Sequence, residues 1–514
     1  MPTTPPAKRP PPATLLYVNV VVVATCGLVY ELLAATMGSY LLGDSIMQFS
    51  LVIGLYLSAM GVGAWASRHL DGNLARRFID VELAVALVGG LSAPILFLAF
   101  AEVQRFQVVL LGFVFAIGTL VGLELPLLMR ILQGEVAFKD LISRVLSLDY
   151  AGALLASLLF PLVFVPELGL LRTSLVIGLG NAAVGLWGTW LLADQIGNVT
   201  WVRVRAVVVV GILGVGLLFS TRLTEWSEDR LYADEIVYAK TTPYQRIVVT
   251  RSPSGFQLFL NGNLQFASAD EYRYHEALVH PAMMAAHDAG RGPRRVLILG
   301  GGDGLAAREV LAHPSVEAVT LVDLDPAMTR LGQRFAPLAE LNRQALNDPR
   351  VTIVNDDAMV WLGSAPSGWD VVIVDFPDPN GFGLGKLYTR HFYQLLASRL
   401  APDGAVAVQA TSPLFARKSF WCIVQTMRSA GFTVAPYHVA VPSFGVWGFA
   451  LARRKPFTPP TAAPAVVARR FLDGEAMAAM FRFPADMSEV EVEINQLDNQ
   501  MLVRYYESEW RRWQ

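Results

Sequence analysis

Long apolar runs separated by short polar loops fill the first part of the chain. Seven of these runs reach, or nearly reach, the length of about 20 residues that a helix needs to cross the core of a bilayer. They cover residues 15–37, 46–66, 79–101, 106–129, 145–165, 171–192 and 204–220. The first run is too long for a cleavable signal peptide, and six more follow it. The pattern predicts an α-helical transmembrane bundle of about seven helices over residues 15–222, after a tail at residues 1–14.

Short strands with turn residues between them follow the last apolar run. Predicted strands at residues 245–251 and 255–260 are joined by Pro253-Ser254-Gly255, and Asn261-Gly262 leads into a third strand. An Asn-Gly pair between apolar runs is the strongest short hairpin signal in a sequence. We therefore predict a small antiparallel β subdomain over residues 223–270.

The rest of the chain alternates strand patterns with helix patterns. Helical spacing over residues 272–288 opens this part, and buried strands and amphipathic helices follow in turn. Such alternation predicts a parallel sheet covered by helices, here an α/β Rossmann-like domain of the methyltransferase type over residues 271–455. Residues 456–514 are predicted to form a helical tail.

Composition agrees with a chain that is partly embedded in lipid. Hydrophobic residues make up 54% and charged residues 16%, against about a quarter charged in ordinary soluble domains. A net charge of −2 and the lack of any long basic run exclude nucleic acid as a partner. The only cysteines, Cys26 and Cys422, cannot build a disulfide framework or a thiolate metal site.

The basic residues of the short loops predict how the helices are oriented in a cell (inner) membrane. With the N-terminus inside, only Arg105 and Arg172 lie outside. The inner loops collect Lys8, Arg9, Arg68, Arg76, Arg77, Arg130, Lys139, Arg144, Arg203 and Arg205. Seven spans would leave the C-terminal domain outside the cytoplasm. A re-entrant or surface-lying segment at residues 204–220, the shortest run, would restore a cytoplasmic domain.

Three acidic residues, Glu31, Glu124 and Asp149, fall within or near the ends of the predicted spans. A charge in this position is costly, and inward-facing carboxylates could bind or conduct a polycation. The alternative is structural: Glu124 and Asp149 lie near the inner interface, pair with Arg130 or Arg144, or hydrogen-bond between helices.

The clearest motif runs from residue 294 to residue 311, RRVLILGGGDGLAAREVL. Four apolar residues form a buried strand, the glycines including Gly300 and Gly302 form a tight turn, and a helix follows. About 20 residues further on, Asp323 ends a second strand, where it can accept hydrogen bonds from a ribose diol. The pattern predicts a nucleoside site, although NAD-dependent dehydrogenases and S-adenosylmethionine enzymes share it, and glycines can also serve helix–strand packing alone.

Acidic residues follow every predicted strand end of this domain. Because the carboxyl ends of parallel strands share one crevice, we expect five carboxylates to converge there. They belong to Asp303, Asp323, Asp357, Asp375 and Asp378. Such a pocket repels phosphates and favours amines.

Each of these polar residues also has a structural interpretation. Asp356 could cap the following helix, Asp378 before Pro379 is ordinary turn chemistry, and His275 or His280 could be partly buried helix residues. Trp361 and Trp369 are expected in the core.

Several of these motifs together resemble one family. GGGDG, the Tyr-His-Glu of residues 274–276, Tyr244-Gln245, the D-x-x-D-P of residues 375–379 and LYTRHFY are similar to the spermidine synthases, or polyamine aminopropyltransferases. The resemblance covers residues 232–454. With the apolar half and the tail sequence NQLDNQMLVRYYESEW, the chain resembles the bacterial branch of that family with multi-pass membrane attachment.

The resemblance implies that the aminopropyl group of decarboxylated S-adenosylmethionine, a co-substrate, passes to putrescine, with no cofactor or metal. It implies that Asp375 is the catalytic base and that His275 and Asp378 bind the acceptor amine. Asp303 would hold the aminopropyl ammonium or the polyamine. The residues implied to bind the nucleoside of the co-substrate are Gln245, Gly300, Gly302, Asp323, Asp357 and Ala358. Family members commonly form homo-oligomers.

Departures from the family pattern and rival functions remain open. Phe376-Pro377 stands where soluble members carry small hydroxyl residues, Ala358 replaces a glycine, and Phe444 replaces a tyrosine, so other diamines or a longer polyamine are open as acceptors. The rivals are an S-adenosylmethionine-dependent methyltransferase and a non-catalytic membrane polyamine sensor or transporter. An NAD-dependent oxidoreductase is a distant third.

Overall fold

The computed structural model describes residues 13–42, 45–103, 105–133, 138–229, 232–286, 292–465 and 467–512. The chain divides into two compact units, Met1–Ala233 and Asp234–Gln514. The boundary follows the end of a long helix that continues past residue 222, the end of the predicted transmembrane domain.

Eight α-helices make up the described part of the first unit. They are α1 (Ala13–Leu42), α2 (Ser45–Ala66), α3 (Leu74–Gly90), α4 (Ser92–Glu102), α5 (Phe106–Leu132), α6 (Phe138–Leu159), α7 (Gly169–Leu191) and α8 (Val199–Asp229). Small residues allow close helix packing, as in many helix pairs in membranes. A Cβ added at Gly63 of α2 would lie 2.0 Å from the carbonyl oxygen of Thr119, and one at Gly122 of α5 would lie 2.2 Å from that of Met60. The backbones of α2 and α5 therefore touch.

Six stretches of the described residues are long and apolar enough to cross a membrane, by length and composition, where the sequence predicted seven. They are Leu15–Ser39, Met47–His69, Leu74–Phe100, Phe106–Leu132, Lys139–Leu191 and Val199–Ser220. The count differs because the fifth and sixth predicted runs are continuous: a π-helical segment, Phe160–Leu168, connects α6 to α7. Gly169, the first residue of α7, has a φ of +72°.

The last apolar run is longer than the sequence suggested. It belongs to α8, a helix of 31 residues. Within that helix, 22 residues from Val199 to Ser220 form a candidate span. The structure therefore contains a long helix here and not a short re-entrant segment, whereas a surface-lying helix at these residues stays a prediction.

The second unit begins with the predicted antiparallel sheet. Its strands pair in the order β1 (Glu235–Thr241), β2 (Arg246–Ser252), β3 (Gly255–Leu260) and β4 (Asn263–Ala267). Asn261 and Gly262 have φ values of 51° and 80°, as the tight hairpin turn between β3 and β4 requires. The hairpins are confirmed, and β1 is an additional strand that the sequence pattern did not reveal.

A seven-stranded sheet forms the centre of the second unit. Its strands are β5 (Arg295–Gly300), β6 (Ala318–Val322), β7 (Val351–Val354), β8 (Trp369–Asp375), β9 (Leu400–Gln409), β10 (Thr433–Val441) and β11 (Gly445–Arg453), in the order β10-β11-β9-β8-β5-β6-β7. Strands β5 to β9 are parallel, and β10 and β11 are antiparallel. The connections run one way from β5 and the other way from β8, so a switch point lies between these strands.

Helices cover both faces of this sheet. They are α9 (Glu271–Ala285), α10 (Leu305–Leu311), α11 (Pro326–Arg334), α12 (Ala336–Leu341), α13 (Ala358–Ser364), α14 (Phe382–Gly385), α15 (Arg390–Arg399) and α16 (Arg417–Ser429). The four apolar residues of β5 are fully buried and alternate between two cores: Val296 and Ile298 face one, Leu297 and Leu299 the other. Trp369 is a core residue and Trp361 packs against the same core, as expected.

The tail contains two helices, α17 (Gly474–Met480) and α18 (Met501–Trp510), and long stretches without regular structure. Helix α18 packs against α16 and α14. Glu509 of α18 accepts hydrogen bonds from the amides of Lys418, at 2.8 Å, and Ser419, at 3.1 Å. These amides open α16 and have no partner within their own helix, so the carboxylate fixes the tail to the domain.

Candidate active site

The glycine-rich turn between β5 and α10 lies at the switch point. Gly300 has a φ of +84°, and a Cβ there would lie 2.1 Å from the carbonyl oxygen of Asp375. A Cβ at Gly302 would lie 2.6 Å from Oδ2 of Asp323. The amide of Gly302 donates to that same oxygen at 3.1 Å. The glycines are therefore needed both for the backbone conformation and for the close approach of the ends of β6 and β8.

Three of the predicted carboxylates surround this turn and interact electrostatically. Asp303 lies in the turn, Asp323 directly after β6, and Asp375 at the end of β8. Burial raises the pKa of Asp323 to about 7 and that of Asp375 to about 6. Burial also raises the pKa of Asp303. Like charges in a partly buried crevice hold protons unless a cation neutralises them, so this crevice suits a cationic ligand.

Asp375 is held by the hydroxyl of Tyr274 of α9, which donates to its Oδ1 at 2.7 Å. The charge of His275 and this hydrogen bond lower the pKa of Asp375, against the larger effect of burial and the repulsion of Asp303. A carboxylate with a pKa of about 6 is mostly ionised at neutral pH and is a better proton acceptor than an ordinary aspartate.

His275 is the end of a buried ionic network. Its Nδ1 lies 2.8 Å from Oε2 of Glu271, and Arg308 binds both oxygens of the same glutamate at 2.8 and 2.9 Å. Burial lowers the pKa of His275, but the hydrogen bond and charge of Glu271 outweigh burial and raise the pKa to about 9. His275 is therefore protonated at neutral pH and adds a fixed positive charge beside Asp303 and Asp375.

Asp378 lies three residues beyond Asp375 and is bound by three side chains. Thr411 donates to its Oδ2 at 3.1 Å, Gln409 to Oδ1 at 3.3 Å, and the hydroxyl of Tyr506 to Oδ2 at 2.9 Å. Burial raises the pKa of Asp378 to about 6, although these hydrogen bonds oppose the rise. Its position is set by this network, so the interpretation of Asp378 as turn chemistry alone is insufficient.

Asp357 differs from the other predicted acids. Its Oδ1 accepts from the amides of Met359 and Val360 at the start of α13, and Nζ of Lys386 lies 2.5 Å from its Oδ2. Burial raises its pKa, but Lys386 and the backbone amides outweigh burial and lower it. Asp357, and not Asp356, caps the helix. Lys386 neutralises Asp357, so the charge of one of the five predicted carboxylates is paired.

The remaining predicted residues lie at the edge of this arrangement. Ala358 is the buried first residue of α13. The side chain of Gln245 donates to Oδ2 of Asp325 at 3.1 Å, two residues beyond Asp323. His280 is fully buried, with its Nε2 3.2 Å from Glu309, so its structural interpretation is confirmed.

Four residues of the site were missed by sequence reasoning. Gln409 is the last residue of β9, the next parallel strand after β8, and Thr411 lies two residues beyond it, so the strand-end argument could have found both. Tyr274 belongs to a quoted motif but was given no role. Tyr506 comes from the tail, and nothing in its local sequence points to an aspartate 128 positions away.

Comparisons with known proteins agree with this geometry. Residues 271–459 match the Spermine/spermidine synthase domain. The polyamine aminopropyltransferase of Leptospira interrogans is 52% identical over 499 residues, covering 97% of this chain and 99% of that protein. Polyamine aminopropyltransferase 2 of Ralstonia nicotianae is 53% identical over 505 residues, covering 96% and 98%.

A crystal structure of spermidine synthase in complex with the transition-state analogue AdoDATO is also similar. It is 26% identical, with a TM-score of 0.44, and the match covers 49% of this chain and 86% of that one. The two relatives match nearly the full length of this chain, so similarity extends over both units. An α/β unit with a glycine turn and a ring of carboxylates thus defines a small-molecule enzyme. The chain belongs to the polyamine aminopropyltransferase family.

Proposed function

We propose that the enzyme transfers the aminopropyl group of decarboxylated S-adenosylmethionine to putrescine, yielding spermidine and methylthioadenosine. A neutral amine nitrogen attacks the methylene carbon beside the sulfonium. The new C–N bond forms as the C–S bond breaks, and sulfur keeps the electron pair. The observation that supports this reaction most is the cluster of Asp303, Asp323 and Asp375 around the glycine turn. These carboxylates favour the binding of cations, and we place the methylene carbon beside the sulfonium next to them.

The donor is assigned to the glycine side of the crevice. Gly300 and Gly302 form the tight turn beside which the nucleoside would lie, and Asp323 would accept hydrogen bonds from the ribose hydroxyls. Gln245 would reach the nucleoside from the small sheet, and Asp357 with Ala358 the adenine. Asp303 would hold the aminopropyl ammonium. Ordinary S-adenosylmethionine carries an extra carboxylate, which would face these acids unpaired and bind poorly.

The acceptor is assigned to Asp375, Asp378 and His275. An alkyl ammonium has a pKa of about 10.4 in the lysine-like case and no free electron pair at neutral pH. Asp375 takes one proton from it, and Asp378 binds the second ammonium. The Nδ1 of His275 is engaged by Glu271, and the protonated Nε2 can only donate a hydrogen bond. His275 would therefore contact the uncharged part of the acceptor and not an ammonium group. Positioning and desolvation of the nitrogen supply much of the acceleration.

The six apolar stretches support attachment to the cell (inner) membrane as a multi-pass protein. We propose no metal and no cofactor besides the co-substrate. We also propose that the enzyme forms a homo-oligomer, as related enzymes do. We also propose that the enzyme unit lies on the cytoplasmic side of the membrane, because the substrates of the enzyme are made in the cytoplasm.

To test the proposal, purified full-length protein is incubated with putrescine and with either decarboxylated S-adenosylmethionine or S-adenosylmethionine. We expect methylthioadenosine from the decarboxylated donor, and a kcat about 10²- to 10⁴-fold lower in Asp375→Asn, the range for a lost general base. Asp356→Asn is the matched control, because this exposed residue follows the edge strand β7 and its side chain accepts a hydrogen bond from the amide of Asp357. S-adenosylhomocysteine as product would support a methyltransferase. Polyamine binding without turnover, unchanged in Asp375→Asn, would support a sensor or transporter.

A further inference from the structure

The interior of the helical unit contains two carboxylates without partners. Glu82 of α3 is 0% exposed and Glu124 of α5 is 1% exposed. Within the described residues, none of their four carboxyl oxygens has a hydrogen-bond partner. A buried, unpaired charge is costly, even by the scales derived from membrane insertion. Such groups persist in a protein when a ligand or a function requires them.

The two carboxylates share one polar region between four helices. They interact electrostatically with each other and with Cys26 and Tyr30 of α1. Helix α7 closes the region, because a Cβ at its Gly185 would lie 3.4 Å from Cβ of Glu82.

Further unpartnered polar atoms lie in the same part of the unit. Both amide atoms of Asn181, one turn before Gly185 in α7, are buried without a partner among the described residues. The hydroxyl of Tyr30 is buried and unpartnered in the same sense. These two side chains lie on different helices from the glutamates, so the missing partner is a property of the region and not of one residue.

The described basic residues do not compensate this charge. Arg130 was a predicted partner of Glu124, but it binds the carbonyls of Ser67 and Leu70 at 2.9 and 3.1 Å and lies 3.5 Å from Asp71. Arg205 pairs with Asp80 at 2.6 Å. The other charged neighbour of Glu124 is Asp149 of α6, which is half-buried and continues the acidic series toward the surface of the unit.

The chemistry of the unpartnered atoms selects the ligand. Carboxylate oxygens only accept hydrogen bonds, and an alkyl ammonium only donates them. Among the residues that the structure describes, no group of three or more His, Cys, Asp or Glu could hold a metal ion. The tyrosine rings at positions 30 and 56, both within electrostatic range of Glu124, add surfaces that attract an ammonium.

We infer that the helical unit binds an alkyl polyammonium ion through Glu82 and Glu124, at a site separate from the transferase crevice. The choice of a polyamine among such cations rests on the proposed function, since the other unit would supply it. The binding site itself rests only on the buried residues of the helices.

Equilibrium dialysis of the detergent-solubilised full chain with radiolabelled spermidine tests the site. The wild type should bind at two sites, and Glu82→Gln with Glu124→Gln should lose about half of the bound spermidine at saturation. Asp375→Asn with Asp378→Asn, which alters the crevice, should lose the other half, and all four changes together should abolish binding. Aminopropyl transfer by Glu82→Gln/Glu124→Gln should equal that of the wild type. Because the transfer assay tests the proposed function and dialysis tests the helical site, failure of one can be distinguished from failure of the other.

Asp80→Asn is the matched control, because Asp80 lies two residues from Glu82 on the same helix but is paired with Arg205. It should keep both sites. Glutamine has the shape of glutamate without its charge, so thermal unfolding of the double variant should occur at the wild-type temperature or above. A wild type with a single site, lost with Asp375→Asn/Asp378→Asn, would overturn the inference. So would unchanged binding in Glu82→Gln/Glu124→Gln.

Discussion

Tyr506 supplies a phenolic hydroxyl to the acceptor side of the crevice. The ring of Phe444, where the family resemblance implied a tyrosine, packs against Tyr274 and Trp447. Tyr506 comes from α18 and donates to Asp378. It lies outside the segment that matches the synthase domain. A residue outside the matched segment therefore provides one of the two hydroxyl groups that bind Asp378.

Replacing Tyr506 should weaken acceptor binding more than catalysis. In Tyr506→Phe, Asp378 loses a hydrogen bond that lowers its pKa. The aspartate is then protonated more often at neutral pH and attracts an ammonium less. A hydrogen bond to a charged group contributes about 1.5 kcal/mol, so we expect the KM for putrescine to rise about tenfold, with kcat within about twofold.

Tyr505→Phe is the control for this prediction, since the neighbouring hydroxyl only accepts from the amide of Glu493, at 3.3 Å. Steady-state kinetics with varied putrescine measures both variants. An unchanged KM in Tyr506→Phe would show that Asp378 does not bind the acceptor in the proposed way.

Tyr274 should control the pH dependence through Asp375. Below the pKa of about 6, Asp375 is protonated and cannot take the amine proton, so kcat/KM should fall as the pH drops through that value. The Tyr274 hydrogen bond favours the ionised carboxylate. In Tyr274→Phe the acid limb of the pH profile should therefore move to higher pH.

Tyr437→Phe is the matched control for the pH profile, because this buried tyrosine donates to the carbonyl of Ala277 and does not contact the carboxylates. Its profile should overlay that of the wild type. An acid limb that stays in place in Tyr274→Phe would contradict the role of Asp375 as the titrating base.

Parallel strands made much of the crevice predictable. A buried strand followed by glycines or an acid has a local signal, and the topology of an α/β sheet carries the strand ends to one edge. Asp303, Asp323, Asp375 and Asp378 could be found this way. Asp357 shows the limit of the argument, since pairing with Lys386, 29 positions away, depends on tertiary packing.

Helical elements were predictable in position but not in continuity. Hydropathy records where apolar residues lie, and it does not record whether the backbone between two runs remains helical. The π-helical segment Phe160–Leu168 joins two predicted helices. The third predicted run is instead interrupted at Leu91, between α3 and α4. In the tail, α18 has a helical pattern, but nothing in its local sequence indicates the contact of Tyr506 with Asp378.

The two units place acidic groups in different surroundings. In the enzyme unit each buried carboxylate of the crevice has donors, such as Tyr274 for Asp375 and Tyr506 for Asp378. In the helical unit Glu82 and Glu124 have none among the described residues. Since the cost of a buried charge depends on its donors, the enzyme can hold its acids without substrate, whereas the helical site needs a proton or a cation.

All residues assigned to aminopropyl transfer, and three hydrophobic cores, lie after Asp234. A fragment of residues 232–514 should therefore fold and keep kcat/KM for both substrates within about threefold of the full chain, because a unit with its own core folds independently. It should bind spermidine at one site only.

A fragment of residues 232–499 is the counterpart, because it lacks Tyr506 and Glu509. Acceptor binding should therefore be weaker, and the start of α16 should be less stable. Circular dichroism and steady-state kinetics measure the two fragments. A folded but inactive 232–514 fragment would mean that the helical unit takes part in the transfer reaction.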